Sequence, residues 1–214
     1  MLRDRFSRIR LGSFGIIFLS TLILSVVIVL RSRVGMDRAF CMFFVDLVFM
    51  LLLFFALEYE RVHGFLAENT ESSFRRIAVG YGVGSLLTAV FAVVPDFYKP
   101  VIVLAVLMSA LSNYRIAMTS ALYWCVLLGI ANTGNSLELV SNLLLVVLGC
   151  SLCVTLQESK YRLYVSFLFF CLTLLVPSIF YYWTYGRITY TIYIYGTVAG
   201  IIAAIAVFLC YDMV

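Results

Sequence analysis

The stretch AFCMFFVDLVFMLLLFFAL, residues 39–57, is nineteen residues long and carries one charge, Asp46. A hydrocarbon core about 30 Å thick is crossed by about 20 mostly apolar residues rising 1.5 Å each, so this run has the length of one membrane crossing. It has no strict apolar/polar alternation of the kind a barrel strand shows. Lipid leaves no backbone N–H or C=O unsatisfied, and the run therefore reads as a helix.

Seven further runs of the same character lie between polar breaks: Gly12–Leu30, Ile77–Val94, Pro100–Ser112, Ile116–Ala131, Leu137–Leu156, Leu163–Trp183 and Ile188–Cys210. Composition agrees: of 214 residues, 64% are hydrophobic and 12% charged, with a mean hydropathy of +1.08. An ordinary soluble domain is about 45–50% apolar and about 25% charged. A 24.2 kDa chain has too little interior to hide that excess. Soluble, disordered, collagen-like and disulfide-stapled classes are excluded. The expectation is an all-α, polytopic membrane helix bundle, one transmembrane domain over residues 1–214, with eight segments, or seven if one is re-entrant.

Pro100–Ser112 is the short segment, thirteen residues or about 20 Å as helix. It reads either as a thin-spot span anchored by Tyr98 and Lys99 or, with Ile116–Ala131, as a re-entrant hairpin. Met1–Leu30 has the basic start and apolar run of a signal peptide, but its apolar part is long and Arg31-Ser32-Arg33 offers no small-residue cleavage site. It reads as a retained first helix.

Orientation follows from Lys and Arg in short loops. An N-terminus inside places Arg3, Arg5, Arg8, Arg10, Arg61, Arg75, Arg76, Arg115, Lys160 and Arg162 in the cytoplasm, ten of the fifteen. Arg31, Arg33, Arg38, Lys99 and Arg187 then lie outside. Both termini are expected in the cytoplasm of a cell-membrane protein, although the three arginines of the first outer loop pull the other way.

Chemistry-bearing residues are few. The one histidine, His63, sits in the polar segment Glu58–Arg76 with Glu58, Glu60, Glu68 and Glu71. It excludes a histidine-rich metal site, and a catalytic triad has nothing else to draw on. Glu60 and His63, three apart, read as part of a solvated loop or amphipathic surface. No Gly-rich phosphate loop, Walker lysine or HExxH occurs. No catalytic residue, metal or cofactor is expected.

Asp46 is the exception, an acid about 10–12 Å inside its span. Such a residue faces the bundle interior with a partner. It reads as a proton, cation or ligand site, or as a packing hydrogen bond. Cys150 and Cys153 form a C-x-x-C within an apolar run, without the environment that lowers a thiol pKa. All six cysteines, Cys41, Cys125, Cys150, Cys153, Cys171 and Cys210, lie in apolar stretches and read as small hydrophobes.

Small residues recur every fourth position in Gly80, Gly84, Thr88 and Ala92, and again in Gly196, Gly200 and Ala204. That spacing puts them on one helix face, where backbones approach closely. Tyr181, Tyr182, Trp183, Tyr185, Tyr190, Tyr193 and Tyr195 flank the turn between the last two segments. They read as an interfacial belt, or as an aromatic ligand site with Arg187 as its charge and Phe97, Tyr98 and Lys99 completing it.

From Ala39 to Cys210 the layout resembles the membrane region of the 7TM-HD family, bacterial receptor-like proteins with seven helices before a cytoplasmic HD phosphodiesterase domain. The stretches FYKPVIVLAVLMSALSNYRIAMTSALYWCVLLGI (97–130) and IYIYGTVAGIIAAIAVFL (192–209) carry the likeness. Met1–Leu30 would match the family's first helix, Arg31–Arg38 the place of its ectodomain, and Tyr211–Val214 the start of its HD domain. No HD metal ligands can be carried over. The resemblance thus implies a stripped sensor or scaffold, or one part of a larger system. The leading expectation is a non-enzymatic receptor-like or scaffold bundle that works through a protein partner or a second copy within the bilayer, with no nucleic acid. A small-solute transporter, or the substrate-binding subunit of one, is the alternative. An enzyme acting on lipid-linked substrate ranks third.

Overall fold

The computed structural model describes residues 11–32, 35–63, 70–131, 135–155 and 162–212. Among the described residues it is all-α, with eight helices: α1 (Leu11–Ser32), α2 (Met36–His63), α3 (Thr70–Phe91), α4 (Ile102–Leu111), α5 (Tyr114–Ala131), α6 (Ser136–Thr155), α7 (Arg162–Tyr185) and α8 (Tyr190–Asp212). Six of them, α1, α2 and α5–α8, are long and apolar enough to cross a membrane. The other two differ for separate reasons. α3 carries Arg75, Arg76, Gly80, Gly82, Gly84 and Ser85, which lower its hydropathy; α4 has only ten residues.

The helices run into polar segments that sequence reads as loops. α2 continues through Glu58, Glu60 and His63, and α3 begins at Thr70. The expected solvated loop Glu58–Arg76 is therefore mostly helix, and its residues 64–69 lie outside the described residues, as do Arg3, Arg5, Arg8, Arg10, Arg33 and Lys160. At its other end α3 stops at Phe91, four residues before Pro95, rather than running to Val94. Proline excludes helical backbone from the residue before it and so closes the chain into a turn.

The short helix is the centre of the bundle. α4 packs against α3, α5, α6 and α8, and Ile102, Leu104, Ala105, Val106 and Met108 are fully buried. The polar groups at its two ends show how far it reaches along the bundle. Lys99 lies beside Glu138 at the start of α6, while Asn113 lies beside Glu60 at the end of α2. Those sites are at opposite ends of α5, whose eighteen residues span about 27 Å. About 15 Å of helix and its flanking residues cover the distance, so residues 99–113 run antiparallel to α5 over its length.

The remaining helices wrap this centre. Within α5, 56% of the spanning window is buried, against 28% for α1, α2 and α7. Those three helices give their larger faces to lipid, which is where the excess apolar residues go. α1 packs on α3, α2 on α5, and α7 and α8 form an antiparallel hairpin.

Close approach at small residues sets the spacing. A Cβ on Gly80 would run into Leu111, and one on Gly84 into the indole of Trp124. On α8, a Cβ at Gly196 would sit 2.9 Å from Leu174, and at Gly200 2.7 Å from Phe170. Ala204 is half-buried one turn further on. Gly186, at φ +66°, makes the tight α7–α8 turn that an L side chain would strain.

Candidate functional site

Asp46 lies ten residues into α2 and Tyr123 nine into α5, each about 14–15 Å along its helix. The antiparallel pairing of the two helices brings them together at mid-depth, where the Tyr123 hydroxyl donates to Asp46 Oδ1 at 2.7 Å. Asp46 is 6% exposed and Tyr123 4%. Ser25 of α1 lies beside the same carboxyl. The acid that sequence leaves without a partner thus has a phenol donor, and no cation is needed to hold it.

An aromatic stack extends from this pair. The Phe49 ring lies 3.8 Å from Tyr123 and 5.8 Å from Tyr81, nearly parallel to both. Tyr81 in turn packs 5.2 Å from Trp124, and its hydroxyl is 2.9 Å from that of Thr21. Thr21 gives its single proton to the carbonyl of Ile17 at 2.9 Å, so Tyr81 is the donor in that bond. Four helices, α1, α2, α3 and α5, meet in this layer.

A cleft of about 410 Å³ opens beside it between α2 and α5, lined by Phe44, Val48, Phe49, Leu52, Leu122 and Tyr123 among others. Phe44, Val48 and Leu52 are each more than half exposed, so the cleft opens sideways toward the lipid phase. The Tyr123 ring faces it while its hydroxyl holds Asp46 behind. The lining is almost wholly apolar, with Thr119 its one aliphatic hydroxyl. Such a surface holds hydrocarbon well and a hydrated ion badly.

Lys99 is not where the aromatic-site reading puts it. Its side chain turns inward, fully buried, with Nζ 2.5 Å from Glu138 and 3.4 Å from Asp96. Phe97 and Tyr98 do reach the α7–α8 turn. Phe97 packs edge-on to Tyr181 at 5.7 Å and Tyr185 at 6.4 Å, and Tyr98 packs 4.6 Å from Tyr195. Arg187 is exposed on that turn, and Tyr182, Trp183, Tyr190 and Tyr193 are exposed around it. The Lys99 side chain is therefore held by Glu138 and Asp96, and Arg187 stands on the turn that carries the aromatic cluster.

Glu60 corrects the surface reading outright. It is 1% exposed and accepts from Asn113 Nδ2 at 2.9 Å and Arg115 Nη1 at 3.3 Å. The Arg115 guanidinium also lies 4.2 Å over the Tyr59 ring. His63 stacks on Tyr59. Cys150 and Cys153 are buried free thiols, and the described residues contain no cluster of metal-ligating side chains.

Sequence reading missed Tyr123, Asn113 and Glu138 as partners. Glu138 alone had a signal, an acid in the first turn of an apolar run. No family model, curated protein or solved structure matches the chain.

Proposed function

We propose that the protein is a non-enzymatic multi-pass membrane protein, a receptor-like or scaffold bundle that acts through protein partners. The observation that supports this is where its deep polar side chains go. Asp46–Tyr123 ties α2 to α5, Thr21–Tyr81 ties α1 to α3, Lys99–Glu138 ties the α4 lead-in to α6, and Glu60 ties α2 to the α4–α5 junction. Each bond joins segments far apart in sequence, and together they fasten the bundle at both ends and at mid-depth. A framework held in this way presents its outer helices in fixed positions. The receptor-like part of the reading draws on the 7TM-HD resemblance.

A second reading, the substrate-binding subunit of a transporter, is favoured by one feature: the cleft that ends on the ring of Tyr123, in front of Asp46. Affinity purification of the full chain from membranes separates the two. A scaffold brings down a stoichiometric membrane or cytoplasmic protein and gives no uptake when reconstituted alone. Solute uptake by vesicles containing only this chain overturns the scaffold reading.

A further inference from the structure

One helical turn beyond the cleft between α2 and α5 stands a cation, Arg115. Arg115, Met118, Thr119, Leu122 and Val126 stand at i, i+3, i+4, i+7 and i+11 on α5, one continuous face. The last four line the cleft. On the α2 side Val48 and Leu52 line the cleft, and Tyr59, two turns further along α2, lies under the Arg115 guanidinium. Arg115 and Tyr59 therefore stand just beyond the cleft, Arg115 one helical turn from its lining residue Met118.

Charge at that mouth is sorted by depth. Glu60, the acid that pairs with Arg115, is 2% exposed at its side chain, whereas the Arg115 side chain is 54% exposed. The acid is inside and the base faces out. Glu58, the other carboxylate on this turn, is held by Arg61 at 2.5 Å. Arg75 and Arg76, exposed in the first turns of α3, add positive charge to the same end of the bundle. What approaches Arg115 from the membrane surface meets a guanidinium with donors to spare, a group suited to phosphate.

Length agrees with charge. From Arg115 to Val126 is eleven residues, about 16 Å, and half of a hydrocarbon core is about 15 Å. Arg115 opens an eighteen-residue spanning helix, so it stands at the edge of that core and the cleft reaches its middle. A cation at the headgroup level, one turn above an apolar cleft whose far end lies about one leaflet below it, suits one lipid chain with its phosphate.

We propose that this cleft is a binding site for an anionic glycerophospholipid, its phosphate on Arg115 against Tyr59 and one acyl chain along the α2–α5 cleft. This goes beyond the scaffold reading and does not depend on it.

The test is native mass spectrometry of the detergent-purified full chain, incubated with phosphatidylglycerol or with phosphatidylcholine of the same acyl chains. One bound phosphatidylglycerol per chain is expected, retained in preference to phosphatidylcholine. Arg115→Gln should lower its occupancy about fivefold, the factor carried by one arginine at an anionic surface. Leu122→Trp, which fills the cleft and leaves Arg115 in place, should abolish retention. Leu175→Trp, on the exposed face of α7, should change nothing. Should Arg115→Gln fail to fold, the Leu122→Trp and Leu175→Trp comparison still decides. Equal retention of both lipids, retention that survives Leu122→Trp, or a protein helix cross-linked at Val48→Cys in place of lipid would each overturn the assignment.

Discussion

Replacing Lys99 with Met keeps the length of the side chain and removes its charge at a site closed off from the surface. The Lys99 side chain is 0% exposed and that of Glu138 is 3% exposed, with Nζ and Oε1 2.5 Å apart. Removing one member of a buried ion pair costs about 3–5 kcal/mol. For a chain of this size about 2–4 °C of Tm accompanies each kcal/mol, so Lys99→Met should melt about 6–20 °C lower. Glu138→Leu should cost less, because Lys99 keeps Asp96 at 3.4 Å, a carboxylate 40% exposed. The double variant Lys99→Met/Glu138→Leu removes both charges and should be more stable than Lys99→Met alone, since apolar replacement of a whole buried pair is often neutral or better. Reversible unfolding in mixed micelles, followed by the fluorescence of the buried Trp124, gives all four corners of the cycle. A double variant that loses the sum of the two single losses to within about 0.5 kcal/mol would refute the reasoning, because independent sites add in that way.

Other substitutions separate the remaining contacts. Tyr123→Phe should cost about 1–3 kcal/mol by leaving the Asp46 carboxyl without its donor, whereas Asp46→Asn keeps an acceptor for the phenol and should cost under about 1 kcal/mol; the reverse order in a melting series would contradict the pair. Gly200→Ile should cost about 1–3 kcal/mol, since its Cβ would lie 2.7 Å from the Phe170 ring and 3.2 Å from the Phe170 carbonyl oxygen. Gly15→Ala, with nothing within 4 Å, should be neutral or stabilising, and equal losses at the two glycines would remove the packing argument. Phe97 combines a φ of +65° with a side chain 4% exposed. Phe97→Gly relieves the backbone but loses the ring, while Phe97→Ala loses the ring and keeps the strain. Ala should therefore be the less stable of the two by about 1 kcal/mol, and a more stable Ala variant would show that the backbone stores nothing there.

The spans were legible because lipid imposes a one-dimensional rule, about 20 apolar residues per crossing, which residues 39–57 or 137–156 meet without any knowledge of their neighbours. Boundaries were less so. Glu58, Glu60 and His63 look like loop, yet they continue α2, since a helix that leaves the membrane keeps its backbone bonds whatever its side chains. The candidate site was half legible: Asp46 stood out as a lone acid in an apolar run, but Tyr123 is one of fourteen tyrosines and nothing in the sequence distinguishes it. Lys99 was misread because Tyr98 beside it suggests an interfacial anchor, while its own side chain is directed by Glu138, thirty-nine positions away.

By itself the sequence determined the solvent, the secondary structure and the approximate number of crossings, because hydropathy and backbone satisfaction are properties of each segment alone. Tertiary structure decided everything that depends on a partner. It made the shortest and least convincing segment the centre of the bundle, since a helix enclosed by others need not satisfy the length rule that lipid enforces. It gave Asp46 a phenol, turned Lys99 inward and buried Glu60 beneath Arg115, because a hydrogen bond or ion pair inside a bundle is set by which helices meet and at what height.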